Sequence, residues 1–295
     1  MEFGEQLKEW RSHRRMSQME LAAEAGISTR HLSFLETGRS RPSEGMILRL
    51  SDVLAIPARE QGILFSTAGF RPRHETRPAR TLEAMPPAVV EAIRLILARH
   101  NPYPGVVFDH EYNVLAANPA FESLATMAGV ALKLGDNFLD AYLGPSPLRL
   151  FIENWAETAA DLVHRIRSDA WLQGPRSGLA RRIERLAADE AVCAAIEAFP
   201  ETARLPVLPI EIRHGETRLT FITTLTSFGS TQDALVQGVL IESFFPGDEE
   251  TRSFFEGEVG ARGHRLAGEP RRARPSGDGR SDPLATRRAA GQNEP

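Results

Sequence analysis

The feature that most constrains this chain is one glycine, Gly26, set between two short amphipathic segments in SQMELAAEAGISTRHLSFLETG (17–38). Neither segment is long enough to hold a helix by itself in water, so each needs the other to pack against. Two helices joined by so tight a turn must cross steeply. That geometry asks for a small residue at the crossing, a turn residue that tolerates positive φ, and apolar residues locking the second helix down. Ala22, Gly26 and the set Leu21, Ile27, Leu32 and Leu35 meet these demands in order. Ser17 with Glu20 forms a capping box, Ser28 caps the second segment, and Thr37-Gly38 ends it. The face left over is Thr29, Arg30, His31, Ser33, Phe34 and Thr37, which is either solvated surface or a surface read against something.

Three more helices frame this pair. Phe3–Arg14 carries Phe3, Leu7 and Trp10 on one side; a fourth helix follows Pro42-Ser43 with Met46, Ile47, Leu50 and Leu54 inward; a fifth starts at Pro57 and runs to about Gly69. A five-helix domain over 1–70 is expected. RPRHETRPAR (71–80) has no periodicity and two prolines, and reads as a linker. Residues 1–80 hold 13 Lys/Arg against 10 Asp/Glu, whereas 81–246 hold 13 against 20. A basic front joined to an acidic middle fits a nucleic-acid head on a module that does not bind nucleic acid.

The front resembles the Cro/phage-repressor type of helix-turn-helix, the XRE family, over roughly Phe3–Gly69. The motif is S-Q-x-x-L-A-x-x-A-G-I-S followed by L-S-x-L-E-x-G-x-x-x-P-S. The resemblance implies that Thr29, Arg30, Ser33 and Phe34 enter the major groove and that Gln18, Arg39 and Arg41 lie by phosphates. It also implies a structural ion pair between Arg11 and Glu36. The chemistry agrees, since Arg30 can form a bidentate pair with guanine, and Thr29 and Phe34 offer apolar surface to thymine methyls. A homodimer on double-stranded DNA, with half-sites about 34 Å apart, is the expected mode.

Behind the linker the pattern changes. Pro87–His100 is an amphipathic helix; PGVVFD and YNVLAAN read as a hairpin turning at His110-Glu111; Pro119–Met127 is helical. A helical stretch runs from Leu148 to about Phe199, broken near Gly174-Pro175. LPIEIRH, TRLTFITTLTSF and ALVQGVLIESFFP return as strands. An α+β module over 81–256 follows, an antiparallel sheet covered by helices. From 257 to 295 Gly, Pro, Arg and Asp dominate with little to bury, as in a disordered tail.

NPYPGVVFDHEYNVLAAN, FIENWAETAADLVHRIR, LPIEIRH, TTLTSFGS and IESFFPGD, in this order, resemble the ligand-binding domain of MmyB-like transcription regulators. The resemblance implies a PAS-like fold with a cavity for a fatty-acid-like ligand. The residues themselves leave the choice open, because a packed core gives the same two-faced strands. Candidate wall residues are Phe108, Leu115, Trp155, Leu162, Phe221, Leu225 and Phe244. Candidate polar anchors are Asn118, Asn154, Arg165, His214 and Thr226. A docking module for a protein partner, with no small ligand, is the alternative.

Catalysis finds no motif. His100, His110, His164 and His214 are widely spaced, with no H-E-x-x-H pattern, so neither metal nor cofactor is expected. Cys193, in AAVCAAI, reads as a small buried helix residue and is the chain's one cysteine. The opening MEFGEQLKEWRSHRR lacks the apolar core of a signal peptide, and no apolar run reaches membrane-spanning length, so a cytoplasmic protein is expected.

Overall fold

The computed structural model describes residues 2–72, 81–203, 207–228 and 236–266. The front is five helices: α1 (Phe3–His13), α2 (Gln18–Glu24), α3 (Thr29–Glu36), α4 (Glu44–Val53) and α5 (Ala58–Thr67). The predicted caps are in place. Ser17 Oγ accepts from the Glu20 amide while Glu20 reaches back to Ser17, and Ser28 Oγ accepts from the His31 amide. Gly26 takes φ +63° at the turn. Leu21, Leu32 and Leu35 are fully buried, Ala22 nearly so, and Phe3, Leu7, Trp10, Ile47, Leu50, Leu54 and Phe65 complete one core. Each apolar side chain buried here contributes roughly 1.5–3 kcal/mol, which is what holds helices this short.

The rear module has α6 (Pro87–His100), β1 (Gly105–Phe108), β2 (Val114–Ala117), α7 (Pro119–Met127), α8 (Phe138–Leu143), α9 (Leu148–Phe151), α10 (Trp155–Gln173), α11 (Gly178–Ala187) and α12 (Glu190–Ala198). Then come β3 (Ile210–His214), β4 (Thr217–Ser227), β5 (Leu240–Pro246) and α13 (Glu249–Leu266). The strands form one antiparallel sheet in the order β2-β1-β5-β4-β3. Strand β1 is buried on both faces. Val107, Leu115, Val239 and Ile241 pack under α6 against Val90, Ile93 and Leu97. Val106, Phe108, Leu219, Phe221 and Phe244 face the helices inserted between β2 and β3.

The long helical stretch departs from the reading in detail. The break at Gly174 is present, but so are breaks at 152–154 and 188–189, giving four helices where two were expected, and α8 had not been anticipated. Each extra break has a local cause. Asn154 is drawn to strand β3, and Asp189 caps α12 by accepting from the Ala191 and Val192 amides. Helix α13 runs on to Leu266. The remainder of the expected tail, and linker residues 73–80, lie outside the described residues. Cys193 corrects its reading too: it is exposed, and its thiol donates to the Ala187 carbonyl.

Candidate nucleic-acid interface and ligand cavity

Helix α3 turns its Leu32 and Leu35 inward and leaves Thr29 and Arg30 exposed, with Ser33 and Phe34 half-buried beside them. The Arg30 guanidinium lies over the Phe34 ring, 5.4 Å from its centre, a cation–π contact one helical turn apart. Arg39 and Arg41, just past the helix, are exposed. Arg11 Nε donates to Glu36 Oε1 at 2.6 Å and a second guanidinium nitrogen donates to Oε2 at 3.0 Å. This fork is the expected ion pair, and its Glu36 side chain is almost wholly buried. The half-buried Gln18 donates its side-chain amide to Glu36 Oε2 at 2.7 Å, which ties it to the ion pair. The recognition helix is held from below as well. A Cβ on Gly4 would stand 2.5 Å from the Leu35 and Glu36 carbonyls, so α1 and the end of α3 touch backbone to backbone.

A cavity of about 100 Å³, part of it open at the mouth, lies between the sheet and the inserted helices. Its walls are largely apolar: Phe121, Leu124, Phe138, Ile152, Leu162 and Phe244 among others. One side is different. Helix α10 presents Thr158, Asp161 and Arg165 at helical spacing, opposite Thr223 of β4 and Glu242 of β5. Glu242 is only 4% exposed, and neither its Oε2 nor the Arg165 Nε has a hydrogen-bond partner. Burial pushes the Glu242 carboxyl above its usual range, against the opposing pull of Arg165 and of a hydrogen bond from Thr223. Burial opposes the charge on Arg165, yet Glu242 and the neighbouring acidic groups carry its pKa upward.

Of the sequence candidates, Leu162, Arg165 and Phe244 line this cavity; the others do not. Leu115 points to the opposite face of the sheet, under α6. Phe108 and Phe221 are filled-in core, stacked on Tyr112, Phe138 and Phe244 or Phe255. Trp155 is also core, donating from Nε1 to the Tyr142 carbonyl at 2.9 Å. Asn118 is consumed by the backbone: Oδ1 accepts from the Gly105 and Phe121 amides, and the amide donates to Tyr103. Asn154 bonds both ways to β3, donating to the Pro209 carbonyl and accepting from the Glu211 amide. Leu225 is half-buried outside the cavity lining, and His214 and Thr226 are exposed toward the strand ends. The missed residues are Glu242, Thr223, Thr158 and Asp161. The alternation Leu240-Glu242-Phe244 held the signal, a charge on an otherwise apolar strand face.

The far end of α10 reaches the front domain. Arg14 is stacked between Trp10, at 5.1 Å, and Trp171, at 4.5 Å. It donates to the Leu54 and Ala55 carbonyls of its own domain and to the Trp171 and Leu172 carbonyls of α10. His13 donates to the Trp171 carbonyl at 2.6 Å, and Arg176 pairs with Glu9 at 2.8 Å. Gly174, at φ +108°, sits on the Trp10 ring, where no side chain fits. A second contact brings Gln237 to the Ala58 amide and Arg59 to the half-buried His110.

Among the described residues no cluster of His, Cys, Asp and Glu is arranged to hold a metal ion, and no helix is long and apolar enough to cross a membrane. Residues 2–61 match a helix-turn-helix domain family, and residues 89–256 match the MmyB-like transcription regulator ligand binding domain. No curated protein matches the chain.

Proposed function

Because the chain belongs to the MmyB-like transcription regulators, DNA-binding proteins with a ligand-binding domain, we propose that it is a sensor in which cavity occupancy sets the position of the DNA-reading head. The ligand is an elongated apolar molecule of the fatty-acid type with one polar end. The head reads the major groove as a dimer, with Thr29, Arg30, Ser33 and Phe34 at base edges and Arg39 and Arg41 at phosphates. What supports a PAS-like sensing module is the five-stranded antiparallel sheet with a cavity beneath its inserted helices.

The single observation that carries this reading is helix α10. Its first half walls the cavity through Thr158, Asp161, Leu162 and Arg165, and its last turn grips the head through Trp171 and Leu172. A ligand shifts an equilibrium only if it binds two arrangements unequally, and a helix shared by both sites supplies that difference. An apolar cavity also favours the sensor over a protein-docking adaptor.

The test is to select genomic fragments bound by the full chain, then titrate one by fluorescence anisotropy with and without decanoic acid. DNA affinity should change with the acid present, and Arg14→Ala should abolish the change while leaving binding of the acid intact. Failure to retain any duplex at low salt would overturn the head reading. Unchanged DNA affinity in an acid-saturated protein would overturn the coupling.

A further inference from the structure

The polar side of the cavity carries more chemistry than an apolar chain needs. Two enclosed atoms on facing elements have opposite requirements and no partner: the Arg165 Nε–H, a donor, and Glu242 Oε2, an acceptor. Buried polar atoms left unpaired are costly, so a group that satisfies both is strongly favoured there. The charge balance then limits what that group can be. Arg165 is already faced by Glu242 and Asp161 at the cavity wall, and by Asp169 on its own helix and the Tyr112 hydroxyl behind it. A ligand carboxylate bound to Arg165 adds a further negative charge beside two carboxylates, in surroundings where like charges repel more strongly than in water.

We propose that the cavity selects a ligand whose polar end is uncharged and sets a hydrogen-bond acceptor beside a donor, a primary amide being the simplest such group. The carbonyl takes the Arg165 Nε–H and the N–H donates to Glu242 Oε2. Thr223, whose hydroxyl is within reach of the Glu242 carboxylate, holds that side chain in place. A carboxylic acid meets the same need only in its protonated form. This inference rests on the reading that the cavity holds an apolar chain, and it replaces the ligand's charge with a specific hydrogen-bond pattern.

The test uses the full chain with decanamide, decanoate and decan-1-ol in isothermal titration calorimetry. At about pH 8 decanamide should bind at least about tenfold more tightly than decanoate. Decanoate should strengthen as pH falls, approaching about tenfold per unit because its binding takes up a proton, while decanamide does not strengthen. Glu242→Gln should narrow or reverse the preference, since the arginine is then free to meet a carboxylate. Should that variant fail to fold, the pH profiles of the unaltered protein decide alone. Decanoate binding as tightly as decanamide, without pH dependence, would overturn the proposal and leave the apolar cavity standing. If none of the three ligands binds, the cavity reading falls and the proposal with it.

Discussion

Arg14→Ala should loosen the head's hold on α10, and the size of the effect follows from its contacts. Two of its four carbonyl partners, Leu54 and Ala55, belong to the head, so of the Arg14 bonds those to Trp171 at 3.2 Å and Leu172 at 3.1 Å cross between the domains. Both are solvent-exposed, so each contributes about 0.5–1 kcal/mol, below the range for buried charged bonds. The stack on Trp171 adds about 0.5–1 kcal/mol. The sum, about 1.5–3 kcal/mol, is about a 10- to 150-fold shift toward the undocked state. Hydrogen exchange over residues 170–177 measures it directly, through faster exchange at the end of α10. The head also loses two bonds of its own, so Trp171→Ala, which leaves those intact, separates docking from head stability. The two substitutions share one contact and should combine to less than their sum. Unaltered exchange at residues 170–177 in both variants, or strict additivity, would refute the clamp.

Arg30→Ala should relax preference at one base pair at a cost of about 1–3 kcal/mol for the specific site, whereas Arg41→Ala should weaken specific and random duplexes alike; binding isotherms on both kinds of duplex check the difference. Glu36→Ala strands Arg11 and removes the partner of Gln18, so the head should lose about 3–5 kcal/mol of stability by urea melting; normal stability with lost DNA binding would instead make Glu36 a reader of DNA. Burial, reinforced by Arg59, holds the His110 imidazole below its ordinary value. The unfolded chain therefore takes up the proton first, and this residue's stabilisation is complete above about pH 6.5 and lost as pH falls toward its folded value. His110→Gln should reduce the loss of stability between about pH 7.5 and 5.5 relative to the unaltered protein, measured by urea midpoints.

The head was legible because its determinants are local. Ser17 and Glu20, Ser28 and Gly26 act within a few residues of themselves, and their geometry follows from spacing alone. The strands were legible for the same reason. The cavity was not, because a two-faced strand does not say which face meets the empty side. Leu115 and Phe108 are equally apolar and lie on opposite faces of the sheet from one another. Polar residues misled in a second way: Asn118 and Asn154 looked available, but the backbone of Gly105 and of β3 had claimed them. Glu242 was visible in the alternation, but its partner Arg165 lies 77 positions earlier in the chain, and only the folded chain brings them together.

Gly4 gives the head a stiff spine. With no side chain between α1 and the final turn of α3, and Arg11 fastened to Glu36, the two helices move as a single lever. The rear module holds the other end of α1, at His13 and Arg14. A small tilt imposed there reappears at the exposed Thr29 and Arg30, with no soft joint between to absorb it.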